Sequence, residues 1–127
     1  MKTDFQKYKQ EILDLGISEG VMQVEKGWYP LLAGLFRELR NLNPETWNGK
    51  YVAQVEQKFA GLRVYFDRDL SPEENKLIDF ACYESENTCE FCGQPGRKSC
   101  PNGFWLQVVC ESCYDSQKKV NIFPALL

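Results

Sequence analysis

At 127 residues, with 43% hydrophobic and 13% aromatic side chains, the chain suits one ordinary domain, or a core carrying a small metal-stapled appendage, and is too apolar to be disordered. Its 15 Lys+Arg against 18 Asp+Glu leave a net charge of −3, which excludes the broad basic surface of a non-specific nucleic-acid binder and suits solubility or a basic protein partner. Histidine is absent, which removes the commonest general base and the Ser-His and Cys-His nucleophile pairs.

Met1-Lys2-Thr3-Asp4 leads straight into a charged amphipathic segment without an apolar signal region. No apolar run nears the roughly 18 residues that span a membrane. The sequence therefore reads as cytoplasmic with no membrane contact. Thiols stay reduced there, and paired cysteines more often bind metal than form disulfides.

Thr3 or Asp4 can cap a first helix carrying Phe5, Tyr8, Ile12 and Leu15 on one face, with Gly16 as its stop. Residues 17–26 fit a short helix or a strand equally well. Gly27-Trp28-Tyr29-Pro30 opens a second helix, with Pro30 tolerated in its first turn. Leu32, Leu35, Leu39 and Leu42 form its expected buried stripe, and Asn43-Pro44 ends it.

After the Asn48-Gly49 turn, Tyr51, Ala53, Val55 and Phe59 alternate with Gln54, Glu56 and Lys58. Beyond Ala60-Gly61, Leu62, Val64 and Phe66 alternate with Arg63, Tyr65 and Asp67. Period two on both sides of a small-residue break predicts a β-hairpin. Ser71-Pro72-Glu73-Glu74 has the form of a capping box, and the helix it starts should run to about Glu86, burying Leu77, Ile78 and Ala81.

Cys89-Glu90-Phe91-Cys92-Gly93 is a Cys-x2-Cys-Gly knuckle, and Cys110-Glu111-Ser112-Cys113 is a second pair. Two intervening residues let both sulfurs of a pair reach one ion, and Gly93 can take a positive φ behind them. The interval between the pairs fits the Cys-x2-Cys-x(15–20)-Cys-x2-Cys zinc pattern. Pro101-Asn102-Gly103 is a turn within it, and Phe104 to Val109 is strand-like. A helix from Tyr114 to Val120 would make the unit a treble clef, whereas an extended chain would make it a zinc ribbon. The helical version is preferred, since its N-terminal dipole favours thiolates. A pair of disulfides, or a redox Cys-x2-Cys, are the competing readings. Cys82 and Cys100 are left over.

Four thiolates fill every position of a tetrahedral ion and leave none for water, so the expected Zn2+ is structural and no catalytic residue is assigned. The candidate binding residues are Lys58, Arg63 and Tyr65 on the hairpin, and Trp105, Arg97 and Lys98 beside the knuckles. With Lys118 and Lys119, the last three could form a basic-aromatic patch able to stack on a base. Arg63 paired with Asp67 or Glu56, and solvated lysines, are the plainer readings.

Gln57-Lys58-Phe59-Ala60-Gly61-Leu62-Arg63-Val64-Tyr65 resembles the Lys-Phe-Gly-x-Leu-Arg-Phe-Tyr box of small bacterial and phage-associated proteins. Their box is followed by a helix and a Thr-Cys-x2-Cys-Gly knuckle, as Thr88 to Gly93 is placed here. Gly27 to Pro30 is similar too. Ala60 stands where the box has Gly, and Cys113 where relatives can use His. The resemblance implies an α+β fold with a zinc knuckle in a prokaryotic or phage setting, and carries no activity.

These readings predict an α+β protein in which N-terminal helices pack on a β-hairpin over residues 1–87. A C-terminal four-cysteine treble-clef or zinc-ribbon module over residues 88–127 follows, packed on that core. The expected function is non-enzymatic, a protein-interaction module such as a phage or bacterial inhibitor or immunity-type protein. The alternative is a nucleic-acid-binding zinc protein.

Overall fold

The computed structural model describes residues 3–103 and 105–125, with side chains as far as Lys118. Helix α1, Phe5–Asp14, is capped by Asp4, whose side chain accepts the Lys7 N–H at 3.1 Å. Ile12 and Leu15 are buried against α2, Tyr29–Leu42. The two helices are also clipped by Arg37, whose Nε and Nη2 donate to the two Glu11 oxygens at 2.9 and 2.7 Å.

Between them lies β1, only Met22–Gln23, flanked by 3-10 turns at Glu19–Val21 and Lys26–Trp28. β1 pairs in parallel with β2, Val52–Lys58, with Met22 opposite Val55. Two paired residues leave no period to read, so sequence pattern could not decide this segment. Helix α2 buries Leu32, Ala33, Leu35, Phe36 and Leu39. Leu42 is 40% exposed instead of buried. At 3.6 residues per turn it sits at the rim of the buried arc, not its centre. Phe36 takes the central place and packs on Trp47, ring centroids 6.4 Å apart.

β2 continues antiparallel into β3, Gly61–Phe66, giving the sheet order β1-β2-β3. A register shift between Val52 and Gln54 breaks the alternation of β2. Val52 and Val55 are therefore buried, while Tyr51 and Ala53, expected inside, are exposed. The β3 alternation is regular, with Leu62 buried and Arg63 and Tyr65 exposed. The two-residue turn is Phe59-Ala60, with φ of 54° and 66°. Both residues are left-handed, the geometry that matches hairpin twist and prefers Asn-Gly. Each non-glycine residue there costs about 1–2 kcal/mol.

Helix α3, Pro72–Ser85, covers the sheet and buries Ile78 and Ala81. Ser85 Oγ accepts the Leu62 N–H at 3.1 Å and donates to the Cys82 carbonyl at 2.6 Å. The capping box is complete: Glu74 N–H donates to Ser71 Oγ at 3.1 Å and Ser71 N–H to Glu74 Oε1 at 2.9 Å. Glu74 is 2% exposed, and Arg68 Nη2 reaches its Oε2 at 2.5 Å.

The Arg68 guanidinium, against the opposing effect of burial, holds the Glu74 carboxyl down at about 2, from an ordinary 4.5. A depressed folded value means stabilisation that is complete above about pH 4.5 and drains away as pH falls towards 2. Glu74→Gln should cost about 2–3 kcal/mol at pH 7 and flatten the stability profile across that window. Urea unfolding at pH 7, 4 and 3 measures both effects.

The chain then forms the Cys89–Gly93 loop, a hairpin of β4, Arg97–Ser99, and β5, Gln107–Val109, and helix α4, Glu111–Ala125. Val108 of β5 is fully buried in the same cluster as Trp28, Phe36, Val55 and Leu62. The fold is α+β, with four cysteines gathered at its C-terminal end.

Candidate metal centre

The first cysteine pair hangs directly from the end of α3, where Thr88 Oγ1 donates to the Glu84 carbonyl at 2.8 Å. The loop closes on itself: Cys89 N–H donates to Gln94 O at 2.7 Å and Gly93 N–H to Cys89 O at 2.9 Å. Gly93 has φ of 82°, the left-handed conformation that the knuckle needs and that a side chain resists. The second pair brackets the start of α4. Cys110 directly follows β5, and Cys113 N–H donates to Cys110 Sγ at 3.4 Å.

The four sulfurs of Cys89, Cys92, Cys110 and Cys113 lie within 4.8 Å of one another, and Cys92 Sγ is 3.6 Å from Cys110 Sγ. A sulfur–sulfur bond would be about 2.05 Å. Sulfurs at about 2.3 Å around a tetrahedral ion stand about 3.8 Å apart, close to the 3.6 Å between Cys92 Sγ and Cys110 Sγ. All six thiols are free; Cys82, half-buried, and Cys100, exposed, are not in the cluster.

Electrostatics fit the same arrangement. Burial pushes the Cys92 and Cys113 thiols up, and for Cys113 the neighbouring thiols push further. Burial opposes ionisation of Cys110 too, but the Cys113 N–H and the surrounding thiols outweigh it and hold Cys110 below the ordinary thiol value. One thiolate is thus favoured and the next resisted. A divalent cation is what lets all four ionise together. The donor set can hold one metal ion.

The knuckle is tied to the helical core through backbone atoms. Gly27 N–H donates to Glu90 O at 2.7 Å, and Glu25 N–H to Glu90 Oε2 at 3.1 Å. Trp28 Nε1 donates to Thr88 O at 2.9 Å, and Glu90 N–H to Val108 O at 2.8 Å. A Cβ on Gly27 would stand 2.4 Å from the carbonyl oxygens of both Cys89 and Glu90. In the sequence Gly27 reads as part of a helix start, and no period or motif marks a glycine as a docking point.

The other expected site residues are dispersed. Lys58 and Trp105 line one groove, with Phe59 and Leu106. Arg97 and Lys98 line a different depression, beside Cys110 and Glu111, and Lys98 Nζ pairs with Glu86 at 2.9 Å. The basic-aromatic patch is therefore not drawn together: Trp105 is in one depression and the two cations in another. Lys118 is exposed, and the Lys119 side chain lies outside the described residues. Arg63 and Tyr65 share the exposed face of β3. Arg63 donates to the Leu62 carbonyl at 3.0 Å, and among the described residues it makes no ion pair with Glu56 or Asp67.

Glu90 and Gln107 are two buried polar residues of the same region that no motif or period in the sequence marks. The one available signal was a glutamate placed between two ligands. No helix among the described residues is long and apolar enough to cross a membrane. Comparison with protein families, with curated proteins and with solved structures finds no match to the chain.

Proposed function

We propose that the chain is a non-enzymatic protein-interaction module built on one structural Zn2+ held by Cys89, Cys92, Cys110 and Cys113. The observation that carries this reading is the closed set of four sulfurs within 4.8 Å of one another. Thiolate ligands in tetrahedral array favour zinc among the common divalent ions, and four of them leave no open position for water or substrate. The order of knuckle, hairpin and a helix with the second pair at its start supports a treble clef over a ribbon. The chain also lacks the histidine that most general-base chemistry uses.

The acidic balance supports a protein ligand over a nucleic acid. Net charge is −3 before the four thiolates and one zinc add about −2 more. An inhibitor or immunity-type role in a phage or bacterial setting agrees with the resemblance of the hairpin string. Affinity capture of the zinc-loaded chain, with nuclease treatment, should retain a stoichiometric protein partner. The competing outcome is retardation of DNA or RNA at about 50 mM salt that weakens steeply as salt rises, the mark of phosphate contacts. That result would replace the protein-interaction reading.

A further inference from the structure

Helices α2 and α3 pack side by side and leave a groove of about 280 Å³ between them. Leu31 and Gly34 of α2 and Leu77 and Phe80 of α3 give it an apolar lining, and Glu38 and Glu84 stand one on each helix. Phe80 is 62% exposed. Gly34 sits mid-helix, where glycine is less favourable than alanine because its backbone has more freedom to lose. A Cβ added there meets nothing within 4 Å beyond its own helix. No contact inside the chain therefore calls for glycine at this position, and its effect is to deepen the groove.

A second observation is electrostatic and independent of the first. Arg37 also lines the groove, but its Nε and Nη2 already donate to Glu11. Glu38 and Glu84 form no ion pair among the described residues, and the nearby cations Arg40 and Lys76 do not line the groove. An apolar floor is thus flanked on both sides by an uncompensated carboxylate.

We infer that this groove docks an amphipathic helix of a protein partner, which sets a large apolar side chain over Gly34 and carries lysine or arginine on its flanks towards Glu38 and Glu84. The inference rests on the protein-interaction reading above and names the chemistry of its partner. Two packed helices present ridges and grooves that a third can enter, its anchors recurring at i, i+3 or i+4, and i+7. Lysine and arginine reach such acids along their methylene stems while the charge stays in water. At about 280 Å³ the groove is smaller than the roughly 300–1,000 Å³ of small-molecule sites, and it suits a side-chain anchor. The open acids repel a nucleic acid, and also a second copy of this chain, whose net charge is −3.

Panning a displayed library of random peptides of about 16 residues, roughly four helical turns, on the zinc-loaded full-length chain tests this. The selected peptides should repeat apolar residues at helical spacing with lysine or arginine on the flanks, and should become helical on binding. Gly34→Leu should weaken the resynthesised peptide about tenfold or more while raising Tm by a few degrees, since leucine both fills the groove and favours the helix. A glycine kept for packing would lose stability instead. Glu38→Lys combined with Glu84→Lys should weaken the peptide comparably. The same peptide with its cations changed to glutamate should bind that double variant better than it binds the parent. Both variants should keep their metal.

The proposal fails if no helical peptide is selected, if the selected peptides carry no cation, or if either variant binds the peptide as the parent does. Tighter binding of a synthetic peptide of residues 118–127 would assign the groove to the chain's own C-terminal segment. A dimer that Gly34→Leu dissociates in sedimentation would assign it to a second copy, and either result overturns the proposal. A natural partner captured equally by Gly34→Leu would overturn the groove and leave the protein-interaction reading standing. Nucleic-acid retardation without any protein partner would overturn that reading and this inference with it.

Discussion

Cys89→Ser should strip the chain of its metal and melt the C-terminal third while weakening the rest. Cys89 is fully buried, and its sulfur is one of the four that face a common centre. A serine hydroxyl does not ionise at neutral pH, so the site would hold three thiolates and lose its closed shell. Structural zinc supplies roughly 10–16 kcal/mol of apparent binding energy to isolated fingers, and that energy is folding energy. Little regular sheet remains to replace it among the described residues, since β4 and β5 are three residues each. The loss should spread to the core, because Val108 is buried there and the Trp28 indole donates to Thr88 O. Hydrogen exchange should show protection lost across residues 88–118 and reduced in α2. Cys82→Ser, in a half-buried thiol outside the cluster, should leave metal content unchanged. Full zinc retention and unchanged exchange in Cys89→Ser would count against the site as described.

Gly27→Ala is the second large effect, and it tests how the two parts are joined. The added Cβ would sit 2.4 Å from two carbonyl oxygens, and the opposing atoms are backbone, not the end of a flexible side chain. Relief requires the knuckle to move away from α2, which breaks the 2.7 Å bond from Gly27 N–H to Glu90 O and strains the one from Trp28 Nε1. Overpacking of this kind, added to lost buried hydrogen bonds, should cost about 3–5 kcal/mol. For a chain of this size that is a fall in Tm of roughly 10–20 °C. Metal should still be bound, because the four sulfurs are untouched. A Tm within about 2 °C of the parent, a change below about 1 kcal/mol, would show that the contact yields easily.

The elements that sequence revealed were those with a strong local signal. Asp4 and Ser71 carry capping chemistry, Pro30 and Pro72 sit in first helical turns, and Leu62 to Phe66 alternate cleanly. The two cysteine pairs were legible because metal ligation fixes residue type and spacing together. β1 was not, being two residues that depend wholly on pairing with Val55 and Glu56. The β2 alternation misled because one irregularity between Val52 and Gln54 changes which residues face inward. Phe59 shows the same limit differently. Its neighbour Gly61 drew attention as the turn residue, but the left-handed positions are Phe59 and Ala60, chosen by strand register. Glu90 was hidden because burial of a carboxylate is decided by tertiary neighbours from residues 25, 27 and 108.

Sulfur alone enclosing one ion is the arrangement on which the fold of the C-terminal region and its lack of an open coordination site both depend. X-ray absorption at the zinc edge on natively purified protein, with elemental analysis of the same sample, reads this directly. The expected result is one zinc per chain and a single shell of four sulfurs at about 2.3 Å. Absence of bound metal, or a shell containing oxygen at about 2.0–2.2 Å, would contradict it.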